Sequence, residues 1–197
     1  MVTNPRTRRT NRAILDATRE LLAEDSVGRL TVEGVAARSG VAKTTIYRRW
    51  KGKDELALAV LIDMVETVPP TPDLGDTRAE LAAFVEAVVG ILRGTLMGRV
   101  MQGIVSDLAT NPDLGGAFRE RVVAVRLAEV RRLVARGVAR GDLQPDADPE
   151  LANELLFGPV YYRLLLSGAP LDPGLAARVA DAAMSALAPT ASSRRPP

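Results

Sequence analysis

The chain has 197 residues with no cysteine and no histidine, which removes disulfide frameworks, thiolate or imidazole metal sites and the usual Ser-His-Asp and Cys-His catalysts. Its formal charge of +2 is unevenly spread: residues 1–60 hold twelve Lys or Arg against seven Asp or Glu, and residues 61–197 hold fourteen against seventeen. Cationic charge gathered at one end is the footprint of a module that meets a polyanion, although a solvated arm or a contact with an anionic membrane has the same composition.

A chain of this length can bury roughly two-thirds of its unfolded surface and build its own core. Apolar periodicity is helical nearly throughout and β-type alternation is missing, so an all-α fold of about nine helices is expected. The first helix should run from about Thr7 to Glu24, with Ile14, Leu15, Thr18, Leu21 and Leu22 on one stripe. A second, capped by Thr31, should reach Ser39, with Gly40 in the turn and a third helix over about Lys43 to Trp50. Asp54 to Val68 reads as a fourth, and the proline-rich stretch from Pro69 to Asp76 as a loop.

Beyond that loop, Thr77 and Glu80 have capping-box spacing for a helix to about Arg93, followed by another from Leu96 to Ala109 that Asn111-Pro112-Asp113 should stop. A long helix from Leu114 or Gly116 to Arg140 should end at Gly141 in the left-handed conformation. Pro149 to Ser167 and Pro173 to Ala188 read as the last two helices, and residues 189–197 as a disordered tail. Residues 1–11 are polar and basic, and no apolar run approaches the ~20 residues that span a bilayer, so a cytoplasmic protein without membrane contact is expected. Arginine outnumbers lysine 23 to 3, and with so much Ala, Val and Gly this suggests a G+C-rich bacterial coding sequence.

The segment from Leu30 to Trp50 is the informative one. Two short helices crossing steeply at close range need a small residue on the first, a glycine in the turn and apolar residues after it. Ala36, Gly40, Val41 and Ile46 stand in that order. Ile46 and Trp50 are one turn apart and should face the core, leaving Thr44, Thr45 and Arg48 opposite with Lys43 and Tyr47 flanking. A face of Lys, Thr, Tyr and Arg suits the major groove of DNA, where cationic donors meet guanine edges and hydroxyls meet phosphates or bases. By charge alone a plain solvated face fits as well; the turn geometry together with the basic terminus favours DNA.

The run Thr31, Val35-Ala36, Ser39-Gly40-Val41, Thr45-Ile46-Tyr47, Trp50 and then Lys53-Asp54-Glu55-Leu56 resembles the TetR family signature across roughly residues 10 to 60. The resemblance implies a DNA-binding transcriptional regulator: an N-terminal arm and three-helix helix-turn-helix domain over residues 1–53, then a larger helical ligand-binding and dimerisation domain over residues 54–188. It implies base-edge roles for Lys43, Thr44 and Arg48, mixed base or phosphate roles for Thr45 and Tyr47, and phosphate contacts from Arg49 and Lys53. Lys53 also sits at a helix N-terminus, which attracts anions by itself. Thr31 either adds a phosphate contact or serves only as an N-cap. Arg6, Arg8 and Arg9, ahead of the first helix, are expected along phosphates or in the minor groove. Where the family usually has Ser or Thr before the recognition helix, this chain has Ala42, which removes a cap worth roughly 1 kcal/mol.

The second domain resembles the family by architecture alone. Leu155, Leu156, Val160, Leu164 and Leu165, then Leu175, Val179, Ala183 and Leu187, form apolar faces on the closing helices, with Gly158, Ala176 and Ala180 permitting close approach. These faces suit a four-helix homodimer interface or packing within one subunit. An apolar effector would be lined by Met64, Phe84, Val88, Met97, Met101, Phe118, Val122, Phe157 and Tyr161, with Tyr162 on one side, residue types that also simply fill cores. Gln102, Asn153 and Arg163 are the polar candidates, Arg163 as a structural residue, and Arg140-Gly141-Asp142 reads as a helix terminus only. No catalytic, metal or cofactor site is assigned. The expected function is a repressor that binds double-stranded operator DNA as a dimer and is released by a small, largely apolar effector. A regulator without an effector, controlled by a protein partner or by abundance, is the alternative. A helical enzyme is more distant, since G-x-S-x-G, G-x-G-x-x-G and P-loop motifs are all missing.

Overall fold

The computed structural model describes residues 5–66 and 69–189, and all of the regular elements among them are helical. In chain order they are α1 (Pro5–Glu24), a 3-10 turn (Val27–Arg29), α2 (Val32–Ser39), α3 (Lys43–Tyr47), α4 (Lys53–Val65), α5 (Thr77–Leu92) and α6 (Leu96–Thr110). There follow α7 (Pro112–Phe118), a π segment (Arg119–Val123), α8 (Ala124–Arg140), α9 (Pro149–Tyr162), a second π segment (Arg163–Ser167) and α10 (Leu175–Leu187). Because the π segments continue their neighbours without a break, the described residues form nine continuous helices, matching the expected number. Residues 190–197 of the expected tail, and the last residues of the expected fourth helix, lie outside the described residues.

Several boundaries differ from expectation for local reasons. Pro5 opens α1 two residues early, a position where its fixed φ and missing N–H cost nothing, so Arg6 joins Arg8 and Arg9 within the helix and none of the three lies on an arm before it. Asn111-Pro112 starts a helix as well as ending one. Asn111 Oδ1 accepts the Leu114 N–H at 3.1 Å, and Pro112 takes the first helical position. α3 stops at Tyr47, after which the ladder tightens into an Arg49 N–H to Ile46 O bond of 2.9 Å.

The chain divides into two compact units, Met1–Val68 with Gly94–Val122, and Pro69–Arg93 with Val123–Pro197. The first therefore holds α4, α6 and α7 besides the helix-turn-helix, a different grouping from a division at residue 53. α4 explains it: Leu56, Ala57, Leu58, Val60 and Leu61 are all buried, so this helix is apolar around most of its circumference and must be covered on several sides. α1, α6 and α7 pack against it, and α1 adds Ile14, Ala17, Thr18 and Leu22 to the core.

In the second unit α10 packs on α5 and α9, and α8 on α5 and α9. Leu156 and Val160 of α9 and Leu175, Val179, Ala183 and Leu187 of α10 are buried within this core. α5 is capped by Asp76, which accepts the Ala79 N–H at 3.0 Å, and not by Thr77 with Glu80. Asp stands one position earlier and caps as well as Thr does. Glu80 is instead fully buried. Its carboxylate accepts the Leu74 N–H at 2.9 Å, both Nη of Arg140 at 3.0 Å, and lies 2.8 Å from Arg136 Nη2. Arg140 also donates to Thr77 Oγ1 at 3.0 Å, and that hydroxyl donates to Asp142 at 2.7 Å. The Arg140-Gly141-Asp142 terminus, with Gly141 at φ 79° as expected, is thus half of a charge cluster and more than a helix end. Sequence spacing could not reveal this, because the partners lie on another helix.

Burial alone would push the Glu80 carboxyl up, but hydrogen bonds from Arg140 and the Leu74 amide, with the charges of Arg136 and Arg140, hold it at about 2. Next to it Glu129 accepts the Thr71 N–H at 2.7 Å, and Arg132 donates to Thr71 O at 2.6 Å while also pairing with Glu129. The proline-rich stretch is clamped onto α8 by these two clusters.

Candidate nucleic-acid interface

The helix-turn-helix is built from short-range chemistry. Thr31 has an extended backbone, and its Oγ1 accepts the Gly34 N–H at 3.0 Å, which starts α2. α2 ends on Gly40, whose φ of 68° is a left-handed conformation that side chains resist. Ser39 Oγ then takes the Val41 N–H at 3.2 Å. Ala42 occupies the N-cap of α3 and offers no side-chain bond, as the sequence implied. Val32, Val35 and Ile46 are buried and fix the rotation of both helices, whereas Trp50 is only half-buried.

That rotation decides what faces outward. Lys43, Thr44, Tyr47 and Arg48 are exposed, Tyr47 to 50%, while Thr45 is half-buried beneath them. The Lys43 ammonium donates to Glu33 at 3.2 Å across the turn, an exposed pair. Glu33 is held below the usual carboxylate range, first by its own backbone N–H and then by Lys43. At the other end of α2, Arg38 forms a two-pronged contact with Glu24 at 2.9 and 3.0 Å that holds α2 on α1.

The expected phosphate contacts are more varied. Arg8 and Arg9 are exposed on the first turns of α1. Arg49 is half-buried, with Nη1 enclosed and making no hydrogen bond to the described residues. Lys53 is half-buried too, and its ammonium donates to Gly28 O at 3.2 Å and Val27 O at 3.4 Å. It therefore ties α4 to the 3-10 turn in addition to standing at a helix start. Thr31 is exposed and acts as the N-cap described above.

The sequence matches the family of bacterial regulatory proteins named for TetR over residues 14–60, and the tetracyclin repressor-like C-terminal domain over residues 71–183. The chain belongs to the TetR family. The HTH-type transcriptional regulator YdeS of Bacillus subtilis is 28% identical over 164 residues, 83% of this chain and 82% of that relative. The DNA-binding transcriptional repressor TetR of Mycobacteroides abscessus is 29% identical over 173 residues, 86% and 88% of the two chains. Among solved structures, the TetR family transcription regulator SCO0332 superposes with a TM-score of 0.77 at 32% identity, covering 91% of this chain and 99% of that one. FadR from Bacillus subtilis, solved in complex with stearoyl-CoA, has the same fold, with a TM-score of 0.63 at 19% identity over 89% and 98% of the chains. This TetR-family chain is a DNA-binding transcriptional regulator, and its relatives are regulators and not enzymes.

The residues expected around an effector are split between the units. Phe84, Val88 and Phe157 are buried and Tyr161 half-buried in the second; Met97, Met101 and Val122 are buried and Met64 and Phe118 half-buried in the first. The rings of Phe84 and Phe157 meet edge to face, with centroids 5.4 Å apart. Within the first unit an open cleft of about 500 Å³ is lined by Leu15, Trp50, Leu58, Ile62 and Leu114 and by none of those nine. Gln102 lines another cleft of that unit, and Arg163 is structural, bound to Pro170 O at 2.8 Å and Asp172 at 2.9 Å. Sequence reasoning missed Arg126, whose guanidinium lies 4.7 Å from the Phe157 ring centroid and 5.1 Å from that of Tyr161. The available signal was the spacing of Asn153, Phe157 and Tyr161, one turn apart on one face of α9.

Proposed function

We propose that this chain is a repressor that binds a palindromic operator as a two-fold dimer and is released by a small, largely apolar effector held in the second unit. α3 enters the major groove. The observation that carries this is the rotation of α3: Ile46 is fully buried, while Lys43, Thr44, Tyr47 and Arg48 are exposed together. Lys43, Thr44 and Arg48 read base edges, Thr45 and Tyr47 add base or phosphate contacts, and Arg8, Arg9, Arg49, Lys53 and Thr31 hold phosphates. The exposed Lys43–Glu33 pair is weak enough to exchange for a DNA partner.

The dimer reading rests on α9 and its π continuation. Leu151, Gly158, Tyr162 and Leu166 are exposed at one- or two-turn intervals, with Leu166 78% exposed and Tyr162 59%. Of the faces expected for this role, Leu156, Val160 and the apolar stripe of α10 are occupied by their own subunit and Leu155, Leu164 and Leu165 are half-buried, so this outer stripe replaces them. The effector lies against Phe84, Val88, Phe157 and Tyr161, a reading supported by FadR of the same fold, solved with stearoyl-CoA, whose acyl chain is apolar. Acting on genomic DNA, the regulator works in the cytoplasm.

Footprinting of the purified protein on its own promoter region, repeated with a panel of hydrophobic compounds, tests the reading. The expected result is two protected half-sites, with centres about 34–36 Å apart or a multiple of that, and loss of protection with one class of compound. Sedimentation at micromolar concentration should report twice the 21.0 kDa chain mass. A monomer there overturns the palindromic operator, and protection unchanged by every compound favours a regulator without an effector.

A further inference from the structure

In the second unit every other described arginine, from Arg78 to Arg178, lies within ion-pair distance of Asp or Glu. Among the described residues Arg126 has no such partner. It is half-buried on α8, and its hydrogen bonds go to neutral acceptors: Nε to Asn153 Oδ1 at 3.1 Å and Nη1 to the Tyr161 hydroxyl at 2.7 Å. Phe157, 1% exposed, lies with its ring against the guanidinium and also meets the ring of Phe84 edge to face. Aromatic faces attract a cation but do not cancel its charge, and a guanidinium partly withdrawn from water is normally paired.

Geometry narrows the missing partner. With Nε and one N–H of Nη1 engaged, one N–H of Nη1 and both of Nη2 remain to meet an acceptor with two oxygens. Asn153, Phe157 and Tyr161 hold the guanidinium from successive turns of α9, so its remaining donors are oriented in advance. One guanidinium among neutral neighbours balances a single negative charge, which favours a carboxylate over a doubly charged phosphate.

We infer that the effector is an organic carboxylate, its two oxygens accepting from the remaining Nη1 and Nη2 donors of Arg126 and its apolar body against Tyr161, Phe84 and Val88. This rests on the effector reading above and adds the chemical class of the ligand. A purely structural role for Arg126, joining α8 to α9, predicts equal affinity for acids and their neutral counterparts.

The test is calorimetric titration of the full chain with phenylacetate, 4-phenylbutyrate and decanoate, each paired with its amide, and parallel measurement of operator release. At least one acid should bind about tenfold or more tightly than its amide, with an affinity that weakens as salt rises. Arg126→Gln should abolish that preference and leave amide affinity unchanged, while Arg126→Lys keeps part of it because the charge remains without the Nη1 and Nη2 donors. The acid-to-amide ratio in the unmodified protein stands even if a variant folds poorly. Equal binding of acids and amides, or an equal loss of both in Arg126→Gln, overturns the carboxylate assignment. Operator release by the amides alone overturns it too and leaves the effector reading intact. If neither series binds, the assignment falls, and release by other neutral compounds separately decides whether an effector exists.

Discussion

Lys43 and Glu33 of the first unit pair in solvent with side chains 55% and 60% exposed, whereas in the second unit Arg136 and Arg140 close on a Glu80 that has no access to water. The same kind of contact does different work in the two places. An exposed pair is worth about 0–1 kcal/mol and can be exchanged for a phosphate or a base edge. A buried cluster tolerates no such exchange, since removing one partner strands the charges of the others. The proposed DNA face keeps its cations available, and the second unit uses its arginines to hold the loop before α5 against α8.

The contrast breaks most visibly at Glu80. Glu80→Ala should lower unfolding stability by about 3 kcal/mol, measured by urea denaturation, because Arg136 and Arg140 lose the one buried carboxylate they share and keep only the exposed Asp73 and the part-exposed Asp142. A loss below about 1 kcal/mol would place the cluster on the same footing as the surface pairs. The pH dependence follows from the same carboxyl, which is lowered from 4.5 to about 2 in the folded chain. Its contribution is fully present above pH 4.5 and disappears as pH falls through about 2, so unfolding monitored between those values should steepen in the native chain and flatten in Glu80→Gln.

Smaller effects belong to the proposed DNA face. Arg48→Ala and Lys43→Ala should each weaken operator binding by about 1–3 kcal/mol, with little change on scrambled DNA. Equal losses on both sequences would remove the base-reading role. Lys53→Ala should weaken all sequences alike and reduce the slope of log affinity against log salt by about 0.9, visible in competition binding across a salt series. If affinity held and thermal stability alone fell, Lys53 would serve only its contacts with Val27 O and Gly28 O. The least effect is expected at the bare N-cap: Ala42→Ser should stabilise the first unit by about 0.5–1 kcal/mol in thermal melts. The backbone of Ala42, φ −57° and ψ 138°, already has the form a capping side chain needs.

The sequence by itself determined the elements and the outward face of α3. Thr31 as a cap, Gly40 and Gly141 in left-handed turns, Ile46 inward and Arg48 outward all depend on neighbours within a turn or two, and helical periodicity carries that information along the chain. Tertiary structure alone decided the rest. Thr77 and Glu80 have the spacing of a capping box, and residue spacing cannot show a second helix arriving; the partner of Glu80, Arg140, is 60 positions away. The apolar face of α10, open to a dimer in sequence, is closed by α5 and α9 of its own chain. Arg126 was one more arginine on a long basic helix until Phe157 and Tyr161, 35 positions beyond it in the case of Tyr161, met it across the core. Local pattern sets which side of a helix is apolar. Which partner covers that side, and which charge is left without one, depends on packing between segments distant in the chain, where shape and desolvation decide the pairing.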